Sequence, residues 1–335
     1  MKAELKKETW KIYPEPLIFL YPGQGAQQVG MGLDLYERFG EARRRFAQAD
    51  RFLGYSLSKL CFEGPPAELN RDLTSQLAVY VVSCILTDLL AGQQIFPSAT
   101  SGYSSGFYAA GYAAGCYDFE QGLDIVRRAG EILLAEERKL EGTMGTIFGL
   151  SRDKVQVICN RIDSLEIGIF NTPSQMIVSG PRSAVLQALQ AAKEQGALDA
   201  YLICAAVPYH SSRLEPCSRQ LQAELQDTVL RDPELPLFSY LNLAPVRNQN
   251  EFKEIIAVQL SRPVFWVDLV RKLQPGLIVE VGPGLVLSRA IRWIDRGAEV
   301  IPTSDCQGFL NAVARIQSKR VEGEIYGAYT EPLFA

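Results

Sequence analysis

Ser98-Ala99-Thr100-Ser101-Gly102-Tyr103-Ser104-Ser105-Gly106-Phe107-Tyr108-Ala109-Ala110-Gly111 reads as a short strand over Ser98 to Tyr103, a glycine-bracketed turn and a helix of small residues. Glycines two before and two after Ser104 permit a tight strand-to-helix turn that aims the hydroxyl away from a sheet. The helix that follows brings backbone N–H groups and the positive end of its dipole, both useful beside a developing oxyanion. A serine hydroxyl is a poor nucleophile until a base takes its proton. The chain holds one histidine, His210, in Val207-Pro208-Tyr209-His210-Ser211. An imidazole-activated Ser104 therefore has a single candidate base. Alone, G-x-S-x-G is a weak signal, because a packed turn with an ordinary serine satisfies it equally.

The surrounding pattern supplies context. Upstream, Leu17-Ile18-Phe19-Leu20-Tyr21 reads as a buried strand ending in Pro22-Gly23, and helical periodicity dominates from Leu33 to Leu90. Downstream, Asp118 to Leu140 reads as a long helix with Asp118 as its N-cap. From Met144 to His210 the order becomes β-α-β-β-α-β, with strands at Thr146–Leu150, Leu165–Phe170, Gln175–Ser179 and Ala200–Ala206 and helices starting near Ser151 and Ser183. That order is the split βαβ, ferredoxin-like unit, inserted in a larger domain. A helix, a strand at Leu237–Leu241, a helix at Glu251–Leu260, strands at Leu277–Val281 and Glu299–Pro302 and a helix at Gly308–Gln317 complete the chain. The tail from Lys319 lacks periodicity.

Composition narrows the classes. With 335 residues, 47% of them hydrophobic, the chain can bury a large core. No uninterrupted apolar run approaches the roughly 20 residues of a membrane span, and Met1-Lys2-Ala3-Glu4-Leu5-Lys6-Lys7-Glu8 lacks a signal-peptide core, so a cytoplasmic location is expected. A net charge of −4 favours neither nucleic acid nor an anionic membrane. The runs Arg43-Arg44-Arg45 and Arg127-Arg128 read as solvated helix faces. Seven cysteines, at 61, 84, 116, 159, 204, 217 and 306, read as buried free thiols; no CxxC and a lone histidine argue against a metal site. The loop Gly23-Gln24-Gly25-Ala26-Gln27-Gln28-Val29-Gly30 fails as a dinucleotide fingerprint at Gln28 and as a P-loop at Met31-Gly32. A loop of N–H groups at a strand end suits an oxyanion better.

Five motifs in order, Tyr21-Pro22-Gly23-Gln24-Gly25-Ala26-Gln27, the Ser104 elbow, Phe170-Asn171-Thr172-Pro173-Ser174-Gln175, Pro208-Tyr209-His210 and Glu280-Val281-Gly282-Pro283-Gly284, resemble the malonyl-CoA:acyl carrier protein transacylase family from about residue 17 to about 317. The resemblance implies an α/β fold. An α/β-hydrolase-like large subdomain at 17–142 and 211–318 would carry the ferredoxin-like insert at 143–210, between tails at 1–16 and 319–335. It implies ping-pong transfer of an acyl group from a coenzyme A or carrier thioester to serine and then to a phosphopantetheine thiol, with no bound cofactor and acyl carrier protein as partner.

Carried over by position, Ser104 is the nucleophile and His210 the base, the N–H groups of Gln24 and Ser105 form the oxyanion hole, and the Gln259 carbonyl orients the histidine. Gln76 and Asn171 fall at polar positions of the cleft. Tyr103, Ser105 and Phe107 depart from the family's usual Gly-His-Ser-Leu-Gly-Glu. Ala129 stands where malonyl-type members carry a carboxylate-binding arginine, with Arg128 beside it. The expectation is a neutral acyl group in a pocket bordered by Ala129 and Tyr209, handled by an acyltransferase of fatty acid or polyketide biosynthesis. An acyl-carrier hydrolase, a malonyl transferase and a non-catalytic carrier-binding module remain alternatives. Arg43 to Arg45, Arg213 and Arg289 are the candidates for a carrier-facing basic surface.

Overall fold

The computed structural model describes residues 16–325 except 138, 140 and 204, and no side chain from 321 on. The tails beyond these limits, and Cys204, lie outside the described residues. Two four-stranded sheets organise the chain. The first holds β1 (Leu17–Tyr21), β2 (Ala99–Gly102), β7 (Leu277–Glu280) and β8 (Glu299–Pro302), all parallel, in the order β2-β1-β7-β8. All five residues of β1 are buried, as expected for a central parallel strand covered on both faces. The second sheet, antiparallel, holds β3 (Gly142–Phe148), β4 (Glu166–Thr172), β5 (Gln175–Pro181) and β6 (Asp199–Ile203) in the order β4-β5-β3-β6. That is the ferredoxin-like order, and its helices Arg152–Cys159 and Arg182–Glu194 close a separate core around Ile147, Val155, Val178 and Val185. The fold is α/β, with an α/β-hydrolase-like larger part and a ferredoxin-like smaller one.

Several local elements differ from expectation. Helix Arg182–Glu194 has Pro181 as its N-cap residue, so Ser183, read as near its start, lies inside its first turn. The segment at Leu237 makes a single bridge to Thr100 and then turns back through a Phe238–Pro245 bridge, too short a pairing for the strand expected at 237–241. Helices Trp266–Leu273 and Val286–Ile294 were not anticipated, and the last helix runs Cys306–Ile325, into the stretch read as an aperiodic tail. Asp118 does cap the helix Phe119–Glu137, accepting from the Gln121 N–H at 2.9 Å.

Helix Asp72–Gly92 is long and apolar enough to cross a membrane by length and composition, but 78% of its apolar window is buried inside the fold. No uninterrupted apolar run announces this helix, because Ser75, Gln76, Ser83 and Asp88 break it. Arg45 also departs from its expected role: it turns inward to Asp88 at 2.7 Å and the Tyr112 hydroxyl at 2.7 Å, so it is no part of a solvated basic face. The six described cysteines are free and buried.

Register brings the carboxyl ends of β1, β2 and β7 together: Tyr21 lies beside Gly102, and Leu20 beside Glu280. Ligand sites in open parallel sheets form at this edge, where the strands hand over to loops.

Candidate active site

Three loops meet at that edge. The turn after β2 places Ser104 at φ +52°, a left-handed conformation rare for serine. The close approach explains the flanking glycines. A Cβ on Gly102 would stand 2.2 Å from the Gly106 carbonyl carbon, and one on Gly106 would stand 2.2 Å from the Tyr21 carbonyl oxygen. The loop after β1 carries Gln24. It is buttressed by the Glu280–Gly284 motif, whose Gly282 packs against Pro22 and whose Gly284 packs against Ala26. Glu280 itself is buried, and its carboxylate accepts from the Leu287 and Ser288 N–H groups at 2.9 and 2.8 Å, fixing the helix that follows.

His210 enters from the segment that follows β6, beside β4 of the second sheet. Its φ is +60°, and its backbone N–H donates to the Leu260 carbonyl at 2.9 Å. Gly168 of β4 admits it: a Cβ there would lie 3.1 Å from the Tyr209 carbonyl oxygen and 3.3 Å from the His210 Cβ. The His210 Nε2 and the Ser104 Oγ are 2.7 Å apart. On the other side of the ring, the Nδ1–H donates to the carbonyls of Gln259 and Arg262, each at 3.0 Å. Two carbonyl acceptors fix the proton on Nδ1, leaving Nε2 as an acceptor for the serine proton. The Arg262 carbonyl was not foreseen, nor were Leu260 and Gly168.

Burial lowers the His210 pKa to about 4, against the pull of the Arg262 and Gln259 carbonyls in the other direction. An imidazole of this kind is neutral, and able to act as a base, well below the usual histidine range. We expect the acid limb of acyl-serine formation, followed by quench and intact mass, to have its midpoint near pH 4; a midpoint near 6.5 would show the ring to be solvated. The same shift links to stability. The unfolded chain takes up the proton first as pH falls, so the neutral buried ring contributes about 3 kcal/mol above pH 6.5 that is lost progressively as pH falls to about 4.

Around this pair runs a polar chain that ties four further residues together. The Gln24 amide donates to Asp72 at 2.7 Å, the Tyr209 hydroxyl donates to the other oxygen of Asp72 at 2.7 Å, and the Gln76 amide donates to the Gln24 side-chain oxygen at 3.2 Å. Burial, reinforced by Asp72, holds the Tyr209 pKa well above the ordinary phenol value, keeping it a donor. Asp72 had no signature in the sequence. The Gln24 backbone N–H donates to the Ser105 Oγ at 3.0 Å.

The remaining expected residues take up a hairpin contact, a ring contact and a buried helix position. Asn171 donates to Gln175 across the β4–β5 hairpin at 2.7 Å, a turn contact and not one to the serine–histidine pair. Tyr103 packs edge-on against Trp266, with ring centroids 5.1 Å apart. Ala129 is fully buried in helix Phe119–Glu137, one residue before Gly130, which sits against Leu73. Arg128 pairs with Asp124 at 2.6 Å and reaches the Glu224 carbonyl at 3.3 Å. The described residues contain no group of three or more His, Cys, Asp or Glu suited to a metal ion.

A nucleophile, a base with a fixed tautomer and N–H groups at a strand-to-helix turn are the parts acyl transfer through an ester requires. Comparison with known proteins points the same way. The acyl transferase domain model matches residues 18–311. The malonyl CoA-acyl carrier protein transacylase of Bacillus subtilis (strain 168) is 31% identical over 296 residues, covering 86% of this chain and 93% of its own. Among solved structures, the malonyl CoA-acyl carrier protein transacylase of Coxiella burnetii superposes with a TM-score of 0.87 at 28% identity, over 91% of this chain and 98% of that one. A type II PKS acyl-carrier protein in complex with its malonyl-transacylase gives a chain matching with a TM-score of 0.86 at 28% identity, covering 90% and 99%.

Proposed function

Because the chain belongs to the acyl transferase domain family, we propose that it is an acyltransferase that forms an ester on Ser104 and passes a non-carboxylated acyl group between coenzyme A or carrier thioesters in fatty acid or polyketide synthesis. The contact of 2.7 Å between Ser104 Oγ and His210 Nε2 carries the reading. His210 takes the serine proton as the oxygen attacks the thioester carbonyl. The tetrahedral oxyanion is met by the N–H groups of Gln24 and Ser105, and the imidazolium returns its proton to the departing thiol. A carrier thiol then repeats the sequence in reverse, with His210 again as the base. An acyl carrier protein, the partner named for the relatives, fits as donor or acceptor.

The neutral acyl group is supported by what surrounds Ala129. A malonyl carboxylate buried without a cation costs several kcal/mol. Ala129 offers none, and Arg128 is engaged by Asp124 and the Glu224 carbonyl. Asp72, between Gln24 and Tyr209, adds a negative charge beside the site. The relatives' names favour malonyl instead, so the two readings are tested together.

Purified protein is incubated with acetyl-, longer acyl- and malonyl-CoA, then with holo carrier protein, and read by intact mass. Acetyl or longer acyl loading should exceed malonyl loading by about tenfold or more, and Ala129→Arg should shift that ratio toward malonyl by a similar factor. A parent that loads malonyl best would overturn the neutral-group reading while leaving the acyltransferase intact. Release of free acid without transfer to carrier would point to a hydrolase.

A further inference from the structure

We infer that the Ser105 hydroxyl is a latch on the oxyanion site, occupying the Gln24 N–H in the resting enzyme until the substrate carbonyl displaces it. The inference rests on the proposed roles of Ser104, Gln24 and Ser105. Of the two N–H groups assigned to the oxyanion, the one on Gln24 donates to the Ser105 Oγ at 3.0 Å, while that of Ser105 carries no hydrogen bond among the described residues. One donor is therefore held by the side chain of the residue that supplies the other. Gly23 leaves the room for this: a Cβ there would stand 2.9 Å from the Ser105 Oγ and 2.4 Å from the Tyr103 carbonyl oxygen. The leucine usual at this position in the resembling family has no oxygen to accept the bond.

The hydroxyl oxygen is a neutral stand-in for the acyl oxygen. It satisfies an N–H that would otherwise lie unpaired in a half-buried site. A thioester carbonyl competes with it poorly at first and better as negative charge develops, because charge-assisted hydrogen bonds are about twice as strong as neutral ones. Displacement needs only rotation of the Ser105 side chain, with no bond made or broken. A substrate held by its pantetheine arm has binding energy elsewhere to draw on for that displacement. A small, unanchored electrophile has none, so the latch selects against it.

The test compares the parent with Ser105→Ala, Ser105→Thr and Ser104→Ala. Intact mass gives the rate of Ser104 modification by a short alkyl fluorophosphonate, whose P=O oxygen uses the same donors, and by acetyl-CoA. Ser105→Ala should react with the fluorophosphonate about fivefold faster than the parent. Its gain with acetyl-CoA should be smaller, and Ser105→Thr, which keeps the hydroxyl, should show less of the fluorophosphonate gain than Ser105→Ala does. A slower Ser105→Ala would show the hydroxyl to be a third donor to the oxyanion and would overturn the latch; an unchanged rate would overturn it as well. If the alanine variant does not fold, Ser105→Gly removes the same oxygen at a helical backbone position that glycine tolerates. Modification that persists in Ser104→Ala, or is absent from the parent, would overturn the nucleophile assignment itself, a result distinguishable from any change seen in the Ser105 variants.

Discussion

Ser104→Ala is expected to carry no acyl adduct after incubation with any acyl-CoA, and its transfer to carrier thiol should fall by about four to six orders of magnitude. The size of the loss follows from the route. Without the Oγ there is no ester, and the His210 Nε2, 2.7 Å from that oxygen, has no proton to take. Burial raises the thiol pKa of Cys61, Cys116, Cys159 and Cys217 to about 11 or 12 and that of Cys84 well above its usual value, so these five are poor second nucleophiles. The variant should fold, since the change deletes one atom. Unchanged thermal unfolding together with a missing adduct would assign the loss to chemistry. An adduct that persists would place the ester on another residue.

Gly106→Ala should be nearly as damaging for a different reason. The added methyl would stand 2.2 Å from the Tyr21 carbonyl oxygen, 2.7 Å from the Pro22 oxygen and 2.8 Å from the Pro22 carbonyl carbon, all backbone atoms of the central strand and the loop that follows it. No side chain can rotate aside. Either the helix Gly106–Ala113 lifts away from β1, taking Ser104 out of reach of His210, or β1 shifts against β2 and β7. We expect a loss of about 3 kcal/mol or more in stability together with loss of acylation. Gly92→Ala, at the end of helix Asp72–Gly92 with open space around it, is the control and should change stability by less than about 1 kcal/mol. Denaturant unfolding of the two variants measures the contrast, and a native-like Gly106→Ala would mean that the turn is far softer than its contacts indicate.

How much of this was legible beforehand depended on whether a residue's type announced its work. Gly102, Ser104 and Gly106 did so, because a strained turn restricts which residues fit. His210 stood out by scarcity, as the chain's one histidine, and the second sheet by the order of its short strands. The second carbonyl on the His210 ring, from Arg262, left no trace, since every residue carries a carbonyl and only the fold decides which one points at the ring. Asp72 was equally silent: its partners Gln24 and Tyr209 lie 48 and 137 positions away, and no spacing rule connects them. Arg45 read as solvated because a run of three arginines usually is, yet one face of that helix is turned to Asp88. The helices Trp266–Leu273 and Val286–Ile294, eight and nine residues long, give too few turns for periodicity to stand out.

The support of the Gln24 loop has a consequence for how the molecule comes into being. Leu17 of β1 pairs with Leu277 of β7, about 260 positions later, and the glycines that hold the loop from below follow directly after β7. Contacts that span so much sequence are made late and slowly, because a long loop must close before they return anything. A growing chain that has not yet reached residue 277 already contains Ser104, His210 and the whole inserted sheet. It still has one bare edge on its most apolar strand and no floor beneath the Gln24 loop. The Gln24 loop is thereby left without its packing partners in partial chains, and the same bare edge makes those chains the form most exposed to aggregation during synthesis.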